Sequence, residues 1–154
     1  MELGHNQKIY GDNYHILDMT SNESTVENQT LNIKCKKLLD EDKIRFAGII
    51  DEKGELLAGG FKKGISRLMS DGQKLSEFIA LSFKYSGSRE FDEELGPLNY
   101  VASRRDRLVL LCFPLPLSHN VLLVSAEPEV NVEEIASKVV KIYSGDAQLP
   151  LKSK

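Results

Sequence analysis

Apolar residues follow two rhythms along this chain, one at helical spacing and one in short unbroken runs. Leu31, Cys35, Leu38 and Leu39 stand at i, i+4, i+7 and i+8, which is one face of a helix. Ser24 and Glu27 just ahead have capping-box spacing, in which each side chain satisfies an amide of the first turn. Polar residues 40–43 end that helix. The run Ile44-Arg45-Phe46-Ala47-Gly48-Ile49-Ile50 then reads as a strand. Residues 51–54 make a turn in which Gly54 can take positive φ, and residues 55–60 return as the second strand of a hairpin. A second helix is predicted over residues 73–85. Its Leu75, Phe78, Ile79, Leu81, Phe83 and Tyr85 spread over roughly 200° of the helix surface, whereas a helix on one sheet needs a stripe of only about 100°. The surplus asks for a further cover: the N-terminal tail, the first helix or a second subunit. Another helical segment follows Ser86-Gly87-Ser88 and ends by Gly96-Pro97.

Residues 98–103 read as strand three, Arg104-Arg105-Asp106 as a turn and residues 107–113 as strand four. The unbroken run Leu108-Val109-Leu110-Leu111-Cys112 suits a strand buried on both faces. Pro114, Leu115 and Pro116 end it, because proline cannot donate to a ladder. His119 and Asn120 lead into strand five, residues 121–126. Asn131 with Glu134 is a cap pair for the last helix, whose buried face is Val132, Ile135, Ala136, Val139 and Tyr143. Ser144-Gly145 stops it. The order is α-β-β-α-β-β-β-α, an α+β layer arrangement in one domain over residues 24–145. Residues 1–23 are polar with few aliphatics, so they are expected to form a flexible tail, and residues 146–154 a second one.

Composition adds exclusions. Over 154 residues the chain is 41% apolar and 28% charged, with a net charge of −3. That balance gives no general attraction to nucleic acid or to anionic lipid. No stretch is apolar enough for a membrane span, and the N-terminus lacks the pattern of a signal peptide. Cys35 and Cys112 sit in apolar stretches and read as small buried hydrophobes, not a disulfide framework. A cytoplasmic, reduced protein is expected.

Candidate chemistry is sparse. Gly59-Gly60-Phe61-Lys62-Lys63-Gly64 has the look of a phosphate-cradling loop but lacks Walker spacing and follows a hairpin strand, so a solvated strand exit is the plainer reading. Arg104, Arg105 and Arg107 form the densest basic cluster and are the candidate partner-binding residues. Asp106 and, close in sequence, Glu90, Asp92, Glu93 and Glu94 are available to neutralise them. His5, His15 and His119 have no zinc spacing, and Ser118-His119 has no nucleophile elbow. No catalytic residue, metal ligand or cofactor site emerges.

The hairpin IRFAGIIDEKGELLAGG and the paired strands RLVLLCFPL and HNVLLVSAEP, followed by an amphipathic helix, resemble the roadblock/LC7 group, related in fold to longin and profilin-like domains. The chain is also similar to small archaeal proteins of unknown function. The roadblock resemblance covers residues 24–143. It implies a five-stranded antiparallel sheet in the order 2-1-5-4-3 and a homodimer built on helix two and edge strand three. In this chain that interface is Leu75, Phe78, Leu81, Phe83, Tyr85, Leu98 and Tyr100. It also implies a non-enzymatic scaffold or a regulator of a small GTPase, with no cofactor. The competing expectation, from the same hairpin style, is a PAS- or profilin-like sensor of a small ligand, with Tyr85 and Tyr100 as polar handles of a pocket under helix two.

Overall fold

The hairpin that the sequence announces is the seed of the sheet. Strand β1 (Ile44–Ile50) turns at Asp51, whose Oδ1 accepts from the amides of Lys53 and Glu55, each at 2.9 Å, and returns as β2 (Leu56–Phe61). The computed structural model describes residues 26–115 and 117–143. Around the hairpin lie α1 (Val26–Leu39), α2 (Gly72–Gly87), α3 (Asp92–Leu95), β3 (Val101–Arg104), β4 (Val109–Pro114), β5 (Val121–Ala126) and α4 (Val132–Tyr143). The five strands form one antiparallel sheet in the order β2-β1-β5-β4-β3, as expected. The expected Ser24 cap, both tails and the Ser144-Gly145 stop lie outside the described residues.

Strand β4 is buried along its whole length, because helices cover both faces of the sheet there. Val109, Leu111 and Phe113 join Leu31, Cys35 and Leu38 of α1 and Ile135, Val139 and Tyr143 of α4 in one core. Leu110 and Cys112 point the other way and meet Leu75 and Ile79 of α2, together with Phe46, Ile50, Val121 and Leu123. The alternation of side chains along one strand thus separates two cores.

Gly59 explains how closely α1 approaches. Its φ is +85°, and a Cβ there would lie 2.1 Å from the Ala47 carbonyl oxygen and 2.9 Å from Cys35 Sγ. Only glycine fits. The Gly59 amide donates to Asn32 Oδ1 at 2.8 Å, which fixes the helix to the strand.

Strand three is shorter than expected. The ladder begins at Val101, opposite Cys112, and not at Leu98. Carried two residues further, the register sets Asn99 against Pro114, which has no N–H for a ladder. Arg104, read as a turn residue, is the last residue of β3, opposite Val109. Helix α2 starts at Gly72, with Asp71 Oδ1 accepting from the amides of Gln73 and Lys74.

Candidate functional site

Helix α2 presents its apolar residues at three depths. Leu75 and Ile79 are buried in the sheet contact, Phe78 and Phe83 are half-buried against the same core, and Leu81 is 66% exposed. The side chain of Tyr85 lies outside the described residues. Ser82 and Ser86 each turn their hydroxyl back to a carbonyl one turn earlier, at 2.9 and 2.7 Å, and Ser86 also meets the Cys112 thiol of β4. Leu75 therefore belongs to the internal core, while Phe78 and Leu81 lead from that core out to the surface along one flank of the helix and half-buried Phe83 lies on the other flank. Phe91 and Leu95, on either side of the acidic residues of α3, are 60% and 80% exposed. The sequence reading passed over them, though apolar residues bracketing three acidic ones in a short segment were a visible signal.

Between α2, the segment carrying Leu68 and Met69, and the sheet lies a cavity of about 60 Å³, lined mainly by Phe46, Phe61, Phe78 and Leu110 with Arg45 and Arg67. Small-molecule sites generally occupy about 300–1,000 Å³. Tyr100 does not line it. Its ring lies on the other side of the sheet, tilted against Phe113 with 5.5 Å between centroids. Its hydroxyl donates to a Glu133 carboxylate oxygen of α4, a bond that raises the Tyr100 pKa, with burial and the carboxylate charge adding to it. Tyr100 and Leu98 precede β3, so only Val101–Arg104 presents an edge ladder.

The three arginines do not act as one cluster. Arg104 donates through Nη1 to the Pro128 carbonyl and through Nη2 to that of Val130 at 3.1 Å, anchoring β3 to the approach of α4. Arg105 and Arg107 stand exposed at the hairpin tip, which is closed by the Arg105 amide donating to the Leu108 carbonyl at 2.9 Å. Asp106 stays between them at the tip, while the other carboxylates expected to neutralise them, Glu90, Asp92, Glu93 and Glu94, are elsewhere. Arg89 Nη2 donates to the carbonyls of Leu115 and Ser118 at 3.0 and 2.5 Å, which holds the start of the acidic stretch at the far end of β4. Proximity in sequence was misleading here, since β3 and its lead-in carry the chain from one end of the sheet to the other.

The remaining groups have structural work. Lys62, from the glycine-rich stretch, donates to the carbonyls of Glu41 and Asp42 and so closes the exit of α1. Arg45 pairs with Glu127 at 3.1 Å and donates to the Ser66 carbonyl at 2.8 Å. Burial pushes the Cys35 thiol up to about 12, against the weaker pull of its contact with the Tyr143 hydroxyl. Burial likewise lifts Cys112 to about 11, opposed by its hydrogen bond with Ser86. Neither is a nucleophile near neutral pH. Among the described residues no group of three or more His, Cys, Asp and Glu could hold a metal ion, and no helix is long and apolar enough to cross a membrane.

The model of a family of unknown function, DUF6659, matches residues 24–147. No curated protein matches the chain in sequence. Among solved structures, the roadblock/LC7 domain from Streptomyces avermitilis superposes with a TM-score of 0.53 at 14% identity, over 74% of this chain and 92% of that one. An MglB with a tetrameric arrangement gives 0.59 at 14% identity, over 77% and 85%. Myxococcus xanthus MglB gives 0.51 at 16% identity, over 84% and 97%. At such identities the likeness is one of fold.

Proposed function

The chain belongs to the DUF6659 family and has the roadblock/LC7 fold, and from that premise we propose that it is a non-enzymatic protein-interaction module that pairs with a second copy of itself. The observation that carries this reading is the uncovered part of α2. Its apolar stripe is buried at Leu75 and Ile79, and on one flank it passes half-buried Phe78 and ends at Leu81, 66% exposed. Leaving a large apolar side chain at the end of such a stripe in water has a cost that association removes. The exposed edge of β3 lies on the same side of the molecule's sheet order as β4, over which α2 packs, so helix and edge can meet one partner together.

The further partner of this pair is a regulatory protein of the small-GTPase class, as the roadblock resemblance implies. A surface remains for it on the outer side of α1, where Val26 and Ile33, seven residues apart, are 77% and 59% exposed. One member of the fold, MglB, has been seen in a tetrameric arrangement, which shows that such domains can assemble and supports the same behaviour here.

Light scattering after size exclusion tests the pairing. The full chain is expected at twice its monomer mass, and Leu81→Glu at the monomer mass with an unchanged circular dichroism spectrum. A strict monomer at every concentration, or a Leu81→Glu dimer as tight as the unmodified one, sinks the proposal.

A further inference from the structure

The cavity beneath α2 is apolar along its wall and cationic at one end. Ile79, Leu110 and Leu123 are part of the wall, and Arg45, Arg67 and Ser125 are the polar residues of the lining. These three stand together. Ser125 pairs across the ladder with Phe46, the neighbour of Arg45, and Arg45 reaches the carbonyl of Ser66, the neighbour of Arg67. Among the described residues no carboxylate lines the cavity, and Glu127, which pairs with Arg45 at 3.1 Å, stands outside it. Apolar walls with positive charge at one end are the complement of an apolar anion.

Arg45 anchors the cationic end. Its side chain is only 11% exposed. Nη1 donates to Glu127 Oε2 and Nη2 to the Ser66 carbonyl at 2.8 Å. A guanidinium has more N–H donors than these two bonds use, and among the described residues no other acceptor takes them. A carboxylate matches such a planar fork and would satisfy donors that are costly to leave unmade in a buried place. The same arginine holds the cover of the cavity. Residues 65–71, between β2 and α2, belong to no helix or strand, and the Arg45 bond to Ser66 ties them to the sheet. Leu68 and Met69 of this segment close the cavity, and Leu68 is itself 48% exposed. Methionine is unbranched and readily changes shape, so Met69 can give way to a guest at small cost.

We propose that this cavity binds a short, unbranched aliphatic carboxylate, with its chain between α2 and the sheet and its carboxylate on Arg45 at the cationic end. Arg67 adds positive charge there. The volume sets the shape of the guest. At about 60 Å³ the closed cavity is less than half of the roughly 150 Å³ that takes a benzene ring, so it admits the end of a slender chain and excludes a ring. The remainder of the chain lies where Leu68 and Met69 now close the cavity. This site is separate from the pairing of two copies and does not depend on it, because it lies between α2 and the sheet of one chain.

Titration of the isotope-labelled full chain, followed by NMR amide shifts, tests this, since the shifts give both the dissociation constant and the place of binding. Hexanoate is expected to saturate a single site and to move the amides of Arg45, Ile79 and Leu110 more than those of α1. Hexanol has the same chain without the charge and should bind about tenfold more weakly, as the loss of a charge-assisted hydrogen bond implies. Acetate, the head without the chain, should not saturate over the same range, and benzoate should bind more weakly than hexanoate. Arg45→Gln is expected to weaken hexanoate about tenfold and to leave hexanol unchanged, which a merely structural effect would not do. Leu110→Phe, which fills the cavity, should weaken both. Absence of a saturable shift with hexanoate overturns the site. Hexanol as tight as hexanoate, or an Arg45→Gln chain in which both weaken equally, overturns the seat of the carboxylate on Arg45. Benzoate as tight as hexanoate overturns the slender chain. Shifts centred on α1, or folded variants that both bind hexanoate as the unmodified chain does, place the ligand elsewhere and overturn the proposal. Should a variant fail to fold, the four ligands on the unmodified chain still decide.

Discussion

On one face of the sheet, α1 and α4 close over Cys35, Leu38, Val139 and Tyr143, none of which keeps any solvent exposure. On the other, α2 covers β4 and β5, leaves Phe78 and Phe83 half-buried, and keeps a cavity of about 60 Å³ beneath it. Both faces are apolar, so hydrophobicity alone does not explain the difference. What differs is the second fastener. The first face is locked by polar contacts between elements: Asn32 on the Gly59 amide, Lys138 on Glu41 at 2.8 Å, and Lys62 on the exit of α1. On the second, the Ser82 hydroxyl is turned back into the helix itself, and Ser86 adds to its own such bond only a contact with the Cys112 thiol. One face is finished by the chain. The other holds the body of its helix mainly by apolar contact, with the polar tie of Arg89 to the Leu115 and Ser118 carbonyls coming just beyond its end, and leaves part of that helix for another surface.

The largest effect should come from disturbing the finished face. Gly59→Ala puts a methyl 2.1 Å from the Ala47 carbonyl oxygen at a φ of +85°. Backbone strain and overpacking together are expected to remove roughly 3 kcal/mol of unfolding free energy. Leu81→Ala, at an exposed site on the other face, is expected to change monomer stability by less than about 0.5 kcal/mol. Urea unfolding at a concentration low enough to hold both chains as monomers makes the comparison. A Gly59→Ala loss under about 1 kcal/mol would mean that α1 is not locked against the strand as described.

The two thiols compare the faces from within, since Cys35 is carried on the buried side of α1 and Cys112 lies on β4 under α2. Both have folded-state values above that of an unfolded thiol, about 12 and about 11. A raised value means that the native state holds its proton more tightly. The associated stability is complete below the unfolded thiol pKa of about 8.5 and is lost as pH rises through the folded values. Unfolding free energy should therefore begin to fall near pH 8.5, by roughly 2 kcal/mol per thiol at pH 10. Replacing each cysteine by alanine should flatten its share of that slope. In a thiol-labelling experiment at pH 8, Cys112 should react ahead of Cys35, because loosening α2 exposes it while Cys35 waits for the locked face to open. Equal rates would remove the distinction drawn between the faces.

These differences were only partly legible in the sequence. Element order and the 2-1-5-4-3 sheet followed from the hairpin, the apolar run of strand four and the resemblance they supported, and the breadth of apolar residues on helix two already signalled an unfinished cover. The extent of strand three did not follow, because Leu98, Asn99 and Tyr100 look like strand residues until the register sets Asn99 against Pro114. Tyr100 could not be placed either. The single residue step between Tyr100 and Val101 puts one ring under α4 and the next side chain on the α2 face. The Gly59-Gly60 pair was expected to be a solvated strand exit and not a phosphate loop, and its reason, a helix that comes within contact of the strand, was not visible. Charges close in sequence, Glu90 to Glu94 and Arg104 to Arg107, proved to stand at opposite ends of the sheet because Arg89 and Arg104 pin them there.

The smallest effect is also the one that links the unfinished face to association. If a second copy completes it, folding and pairing share one free energy, and melting temperature depends on protein concentration. Over a hundredfold rise in concentration the full chain should melt a few degrees higher, the shift expected when about 1 kcal/mol is added to a domain of this size. Leu81→Glu should melt at one temperature throughout, and so should any chain in which the pairing is broken without harm to the core. A Gly59→Ala chain should melt far lower yet keep the concentration dependence, because its damage lies on the face that takes no part in pairing. If instead Gly59→Ala lost that dependence and Leu81→Glu kept it, the roles of the two faces would have to be exchanged.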